Sequence, residues 1–288
     1  MKRPLKIFTA SVSTLLALSA SSFAEDNHSN VTDETIADQR VVLAKTTQGA
    51  GFGAQSPRDI DAKAGSNSRT FEESPPYTEM NLCNIHFHEN AEHKGGQFTK
   101  FAGNGDGHGN GTGFMYSGKL SDAELADVGV KIGNSEHGDL VPGDTIEVHY
   151  VYSSALVTPG PTLASCLTET IKNPQLRVES QVYVLVNDEN ALDFTELAKT
   201  GVVDGLQQAL NIPSNTGTPV QYAGSTTGPS YNEKGSPFQV TWNVRPEVAK
   251  VNILTVGAWL ENNVFDEDHA HGVRNLVVNP DLLSEITQ

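Results

Sequence analysis

Residues 145–152 read Thr145-Ile146-Glu147-Val148-His149-Tyr150-Val151-Tyr152. The run alternates, so Thr145, Glu147, His149 and Val151 share one face and Ile146, Val148, Tyr150 and Tyr152 the other. Pro142-Gly143-Asp144 supplies the turn that introduces it. A strand of this kind buries one face and carries chemistry on the other. Working outward, Leu82, Ile85 and Phe87 lie in a strand-like run, and residues 177–186 (RVESQVYVLV), 238–244 (FQVTWNV) and 251–260 (VNILTVGAWL) read as further strands. With 26 Gly and 14 Pro scattered between such runs, the pattern predicts a mainly β fold. The expectation is one domain over residues 51–288, built on a large, mostly antiparallel central sheet with a few short helices.

Helix signals are few. Residues 121–128 (SDAELADV) suggest a capped turn or two, with Ser121 as N-cap and Glu124 three residues on. Residues 193–210 have helical character around 196–198 and 206–210. Residues 25–50 are polar without a stable period and read as a flexible leader. Residues 103–113 (GNGDGHGNGTG) are low in complexity and do not repeat, which reads as a mobile surface loop.

Lys and Arg number 19 against 35 Asp and Glu, a net charge of −16. A surface this acidic repels phosphate backbones and anionic headgroups, so neither nucleic acid nor a membrane surface is the expected partner. The N-terminus carries Lys2, Arg3 and Lys6, then an apolar or small run over 7–20, then Ser22-Phe23-Ala24 before Glu25-Asp26. That is the three-part pattern of a secretory signal peptide over residues 1–24. The apolar run of about 14 residues falls short of the ~20 that span a bilayer. The expected destination is the periplasm or the medium. In an exported chain the two cysteines, Cys83 and Cys166, most simply form one disulfide, the alternative being two buried thiols that never meet.

The densest chemistry is Asn84-Ile85-His86-Phe87-His88-Glu89-Asn90-Ala91-Glu92-His93. Residues two apart on a strand share a face, so His86 and His88 point the same way and suit one tetrahedral metal. His149, mid-strand, is the best third ligand. Three neutral imidazoles leave a fourth position open, the mark of a catalytic rather than a structural metal. Glu147, two before His149, is placed to orient a ligand histidine through its free ring N–H. His269-Ala270-His271 sits beside Asp266-Glu267-Asp268 with no strand around it and reads as solvated surface.

These residues resemble the carbonic anhydrases. His86-Phe87-His88 with a later Glu147-Val148-His149-Tyr150-Val151 is similar to the alpha-class metal site, and NLCNIHFHENAEHKGG resembles the delta class most closely. Three further blocks resemble alpha-class segments in the same order: residues 55–60 (QSPRDI), 222–229 (YAGSTTGP) and 240–244 (VTWNV). The resemblance implies reversible hydration of carbon dioxide to bicarbonate, with zinc (cobalt as a possible substitute) on His86, His88 and His149. It implies that Thr226 accepts a hydrogen bond from the zinc hydroxide and donates its own to Glu92. Asn84 and Glu147 would support the ligands, and Val151, Val240 and Trp242 would line the apolar slot. The threonine loop lacks one residue between Ser225 and Thr226, which leaves Thr227 as the alternative for that role. No residue matches the alpha-class proton-shuttle histidine.

Two other readings compete. His86-x-His88 with Glu92 four residues later fits the first motif of a cupin barrel, which commonly holds iron or manganese. A non-catalytic exported metal-binding domain could keep the same histidines.

Overall fold

The computed structural model describes residues 30–134 and 138–287. The strands are β1 (Asn81–Glu89), β2 (Lys100–Asn104), β3 (Thr112–Met115), β4 (Thr145–Ser153), β5 (Leu176–Val186), β6 (Thr200–Val203), β7 (Leu206–Ala209), β8 (Val220–Ser225), β9 (Gln239–Val244) and β10 (Ala249–Asn252). The α-helices are α1 (Asp33–Thr47), α2 (Phe194–Leu197) and α3 (Ile253–Glu261). The main sheet runs β1-β4-β5-β9-β8, with β10 also pairing with β5. Pairings β1–β4, β4–β5 and β8–β9 are antiparallel, whereas β5–β9 and β5–β10 are parallel, so the sheet is mixed. The order is open, with β1 and β8 at its ends. A closed cupin barrel is therefore ruled out.

Strands β4 and β5 are buried along their whole length because apolar layers cover both faces. One layer holds Ile85, Phe87, Ile146, Val148, Tyr150 and Tyr152, packed under Phe194, Val256 and Trp259. The other holds Cys83, Val151, Val178, Val182, Val240 and Trp242. The face of β4 that carries Glu147 and His149 belongs to this second layer.

Four sequence expectations give way here. Residues 33–47, expected within a flexible leader, form α1. Thr32 caps it, accepting from Thr35 N, with Asp33 and Glu34 in the first turn and Lys45 in the last. It shows little apolar periodicity because only Ile36 and Leu43 of its apolar residues are buried, while Val41 is 65% exposed. Polar contacts hold it instead: Gln39 donates to Gly107 O and accepts from Asn275, and Thr46 donates to Glu233 O. The signal-peptide expectation over 1–24 lies outside the described residues.

The glycine-rich stretch closes the β2–β3 hairpin. Asp106 Oδ1 accepts from the backbone N–H groups of His108, Gly109 and Asn110, and Val31 N donates to Gly105 O. The apolar run at 251–260 is strand only to Asn252, which then caps α3 by accepting from Leu254 N. An unbroken apolar run suits a buried strand or a buried helix equally. Residues 206–209 are strand rather than helix: Asp204 (φ 50°) and Gly205 (φ 85°) make the tight turn of the β6–β7 hairpin. At 121–125 the capping pair forms as drawn, Glu124 Oε2 accepting from Ser121 N at 2.8 Å, around a single turn.

The Cys83–Cys166 disulfide is formed and ties β1 to the segment after β4, across 83 positions of sequence. Among the described residues no helix is long and apolar enough to cross a membrane.

Candidate metal centre

The β1–β4 register sets His86 opposite His149, His88 opposite Glu147 and Asn84 opposite Val151. Antiparallel pairing on one face thus does what the spacing suggests: it brings three imidazoles together. One ring nitrogen from each of His86, His88 and His149 lies within 4.8 Å of the others.

Each ring is turned by a partner on its far nitrogen. His86 Nδ1 is 2.6 Å from Asn84 Oδ1, which can only accept, so the proton is on Nδ1 and Nε2 offers its lone pair. His88 Nδ1 likewise donates to Gly272 O at 2.8 Å, which leaves Nε2 buried without a protein partner. His149 Nε2 stands 3.2 Å from Glu147 Oε1, off the ideal hydrogen-bond line, with Nδ1 3.3 Å from His86 Nε2. Burial and the neighbouring rings hold His86 and His88 well below the usual imidazole range; burial lowers His149 too. With the His149 proton on Nε2, toward Glu147, its Nδ1 lone pair joins those of His86 and His88, a set that fits a tetrahedral cation with a free fourth position.

Glu147 is the hub behind the ligands. Its Oε1 accepts from His93 Nδ1 at 2.7 Å and from Ser180 Oγ at 2.5 Å, and its Oε2 accepts from His93 N at 3.1 Å. Burial pushes this carboxyl up, but His93 and His149 pull it well below the usual carboxylate range. His93 Nε2 continues to the Tyr222 hydroxyl at 2.7 Å, which donates to Ser56 Oγ at 2.9 Å. His93, Ser180, Tyr222 and Ser56 are given no role in the sequence reading. Their signals are faint: Ser180 is revealed only by its register opposite His149.

The threonine assignment changes. Thr227 Oγ1 donates to Glu92 Oε1 at 3.1 Å, while Thr226 Oγ1 pairs with Ser236 Oγ at 2.7 Å. Thr226 N still donates to Phe238 O, so the β8–β9 ladder runs one residue past Ser225 and fixes where the Thr226 side chain goes. Thr227, the next residue along, reaches Glu92. That carboxyl is raised well above its usual value by burial and by Glu147, against the opposing pull of Thr227 and Arg274.

A cleft of about 320 Å³ opens on the histidines, lined on one side by Val151, Leu163, Val178, Val240 and Trp242 and on another by Thr226 and Thr227. The three apolar residues expected in the slot are all on its wall. His269, His271 and Glu267, expected to be solvated surface, line the cleft as well. Residues 269–272 run beside the outer edge of β1: His271 N donates to Phe87 O and Glu89 N to His271 O. The His271 ring is 5.4 Å from that of His86, and its Nε2 donates to Glu267 Oε2 at 2.5 Å.

Solved structures align over most of the chain at low similarity. An alpha-carbonic anhydrase from Thermovibrio ammonificans in complex with the inhibitor sulfanilamide is 16% identical, with 77% of this chain and 84% of its own covered and a TM-score of 0.26. The Photobacterium profundum alpha-carbonic anhydrase is 17% identical, with 87% and 97% covered and a TM-score of 0.27. A hyperthermostable carbonic anhydrase identified from an active hydrothermal vent chimney is 13% identical, with 84% and 90% covered and a TM-score of 0.28. No curated protein matches the chain. The family described as Delta carbonic anhydrase matches residues 77–255, a span that holds β1 with His86 and His88, β4 with His149, and the Thr227 loop, and the chain belongs to that family.

Proposed function

We propose that this protein hydrates carbon dioxide reversibly to bicarbonate and a proton, using one zinc ion held by His86 Nε2, His88 Nε2 and His149 Nδ1. The observation that carries the reading is the convergence of three neutral imidazole lone pairs, one of them on a buried nitrogen with no other partner. A zinc ion on three imidazoles acidifies a coordinated water to a pKa of about 7, and cobalt is the substitute expected in the same site.

The chain's own groups supply orientation and selection. Asn84, Gly272 O and Glu147 hold the ligand rings. Thr227 has given its proton to Glu92, so toward the cleft it can only accept. It therefore fixes the direction of a donor seated beside it and turns away anions that carry no proton. Val151, Val240 and Trp242 give a small apolar substrate a wall without competing charge. Export to the periplasm or the medium completes the reading, supported by the N-terminal pattern and by a formed disulfide.

The test is elemental analysis of the mature protein paired with a stopped-flow hydration assay. One zinc per chain and turnover are expected, with both lost in His149→Ala. Full zinc occupancy in that variant would refute the ligand set.

A further inference from the structure

The amide of Asn84 has two ends of nearly equal size and opposite chemistry, an oxygen that accepts and a nitrogen that donates. Turned one way, Oδ1 takes the His86 Nδ1 proton and leaves Nε2 free for a metal. Turned over, the amide NH₂ would donate to Nδ1 and drive the ring proton onto Nε2. His86 does not choose between these, because its ring can carry the proton on either nitrogen. The choice is made on the other side of the amide. Asn84 Nδ2 donates to Gly160 O at 3.0 Å, while Oδ1 lies 2.6 Å from His86 Nδ1. A carbonyl can only accept, so Gly160 O takes the NH₂ end and sends the oxygen to the histidine.

Gly160 sits on a loop that is clipped to β1. Its N–H donates to Cys83 O at 3.0 Å, so this one buried residue bonds to two consecutive residues of β1, Cys83 and Asn84. The loop leaves β4 at Ser153 and closes at Cys166. Ser153 Oγ donates to Cys166 O at 2.7 Å, and Cys166 is bonded to Cys83, the residue next to Asn84. Pro159 and Pro161 flank Gly160 and stiffen the tip, since each fixes its own φ and restricts the residue before it. Thr162 and Leu163, further round the loop, line the metal cleft. The disulfide therefore holds at its root the loop whose tip orients Asn84.

We propose that Gly160 O is a positioning group for the metal centre: held in place by the Cys83–Cys166 disulfide, it fixes the Asn84 amide and, through it, the His86 tautomer that can bind metal. The disulfide then serves the ligand set as well as the stability of the fold. Opening it frees the carbonyl, lets the amide turn over and puts a proton on the nitrogen that should carry the metal. The consequence for zinc rests on the proposed function. The tautomer lock does not, because it consists of hydrogen bonds between the chain's own groups.

The test opens the loop in two ways. A phosphine and water reduce Cys83–Cys166 in the folded protein to two thiols, the phosphine leaving as its oxide. Pro159→Gly with Pro161→Gly keeps the disulfide and slackens the tip alone, so it decides the matter where reduction unfolds the protein. Near-UV circular dichroism checks the fold of each. In metal-free protein labelled with ¹⁵N, the ring nitrogens of His86, assigned by their loss in His86→Gln, report where the proton sits. Nδ1–H is expected in the intact protein, and a mixture of Nδ1–H and Nε2–H in the opened forms. Zinc affinity against a competing chelator should fall about 10-fold on reduction and by less in the proline variant. In an Asn84→Ala background there is no amide to orient, and opening the loop should leave zinc affinity where it was. An unchanged His86 spectrum in the opened forms, or an affinity loss as large with Asn84→Ala as without it, would overturn the proposal. A protein whose His86 changes tautomer on opening but binds no zinc fails the zinc reading alone. One that binds zinc and keeps its tautomer on opening fails the lock alone.

Discussion

Replacing Thr227 with valine removes one hydroxyl and almost no volume, so it isolates the hydrogen bond to Glu92. The lost contact is a 3.1 Å donation to Oε1 of a carboxylate that is 1% exposed and whose Oε2 has no partner. Two consequences follow. A buried hydrogen bond is worth about 0.5–1.5 kcal/mol net, so the folded protein should lose stability of that order. The cleft also loses the acceptor that orients a donor beside it. A single preorganised catalytic hydrogen bond contributes about 10²–10³ in kcat, or about 2.7–4 kcal/mol. Hydration by Thr227→Val should therefore fall at least ~10²-fold with zinc content unchanged, because Thr227 touches none of the three rings' far nitrogens. Thr226→Ala is the control. It removes the 2.7 Å bond to Ser236, which costs about 1 kcal/mol of stability and leaves turnover nearly intact. Stopped-flow hydration, elemental analysis and thermal melts on both variants decide the matter. A large loss of rate confined to Thr226→Ala would refute the assignment, and near-normal rates in both would refute the orienting mechanism itself.

Other outcomes follow from the same contacts. Asn84→Ala removes the acceptor that fixes the His86 proton on Nδ1, so zinc affinity measured against a competing chelator should drop about 10–100-fold with the fold intact. In the metal-free protein His86, His88 and His149 are depressed by burial. The unfolded chain then binds protons first, so the histidines' contribution to stability is constant above about pH 6.5 and is lost as the pH drops below it. Glu92, raised by burial, opposes this as one group against three. Urea midpoints between pH 8 and 5 should show the fall, and a constant midpoint contradicts it. Cys83→Ser with Cys166→Ser opens an 83-position loop, and a loss of about 4 kcal/mol is expected from chain entropy, read as a lower urea midpoint.

How much of the fold could be read in advance depended on whether a segment's burial matched a simple period. β4 was legible because its two faces differ in kind, Ile146, Val148 and Tyr150 against Glu147 and His149. Residues 251–260 were not, because a helix wedged between α2 and the sheet is apolar on most sides and carries no alternation to read; only Asn252, a capping residue, marks the switch. Helix α1 was missed for the opposite reason. Its hold on the protein comes through Gln39 and Thr46 to partners far along the chain, Asn275 and Glu233, and distant polar pairing leaves no periodic trace. The Asp204-Gly205 turn was legible in principle, as a short turn pair between two β-prone runs.

The site divides along a related line. Its ligands lie on two paired strands, so spacing within each strand, plus the assumption that the strands pair, is enough to find His86, His88 and His149. The supports for those ligands come from three different ranges. Asn84 and Glu147 are each two residues from the ring they hold, on the same strand face, and are visible in sequence for that reason. The carbonyl that orients His88 belongs to Gly272, 184 positions away, and backbone carbonyls have no residue-type signature. That segment brings His271 and Glu267 into the cleft with it, which is why an acidic, histidine-containing stretch without strand character became part of the wall. The threonine shift has the same origin. One extra rung of the β8–β9 ladder, Thr226 N to Phe238 O, spends Thr226 on Ser236 and hands the Glu92 contact to Thr227. A ladder's last rung is set by the partner strand, so a one-residue choice between adjacent identical side chains is a property of the pair and not of the loop that carries them.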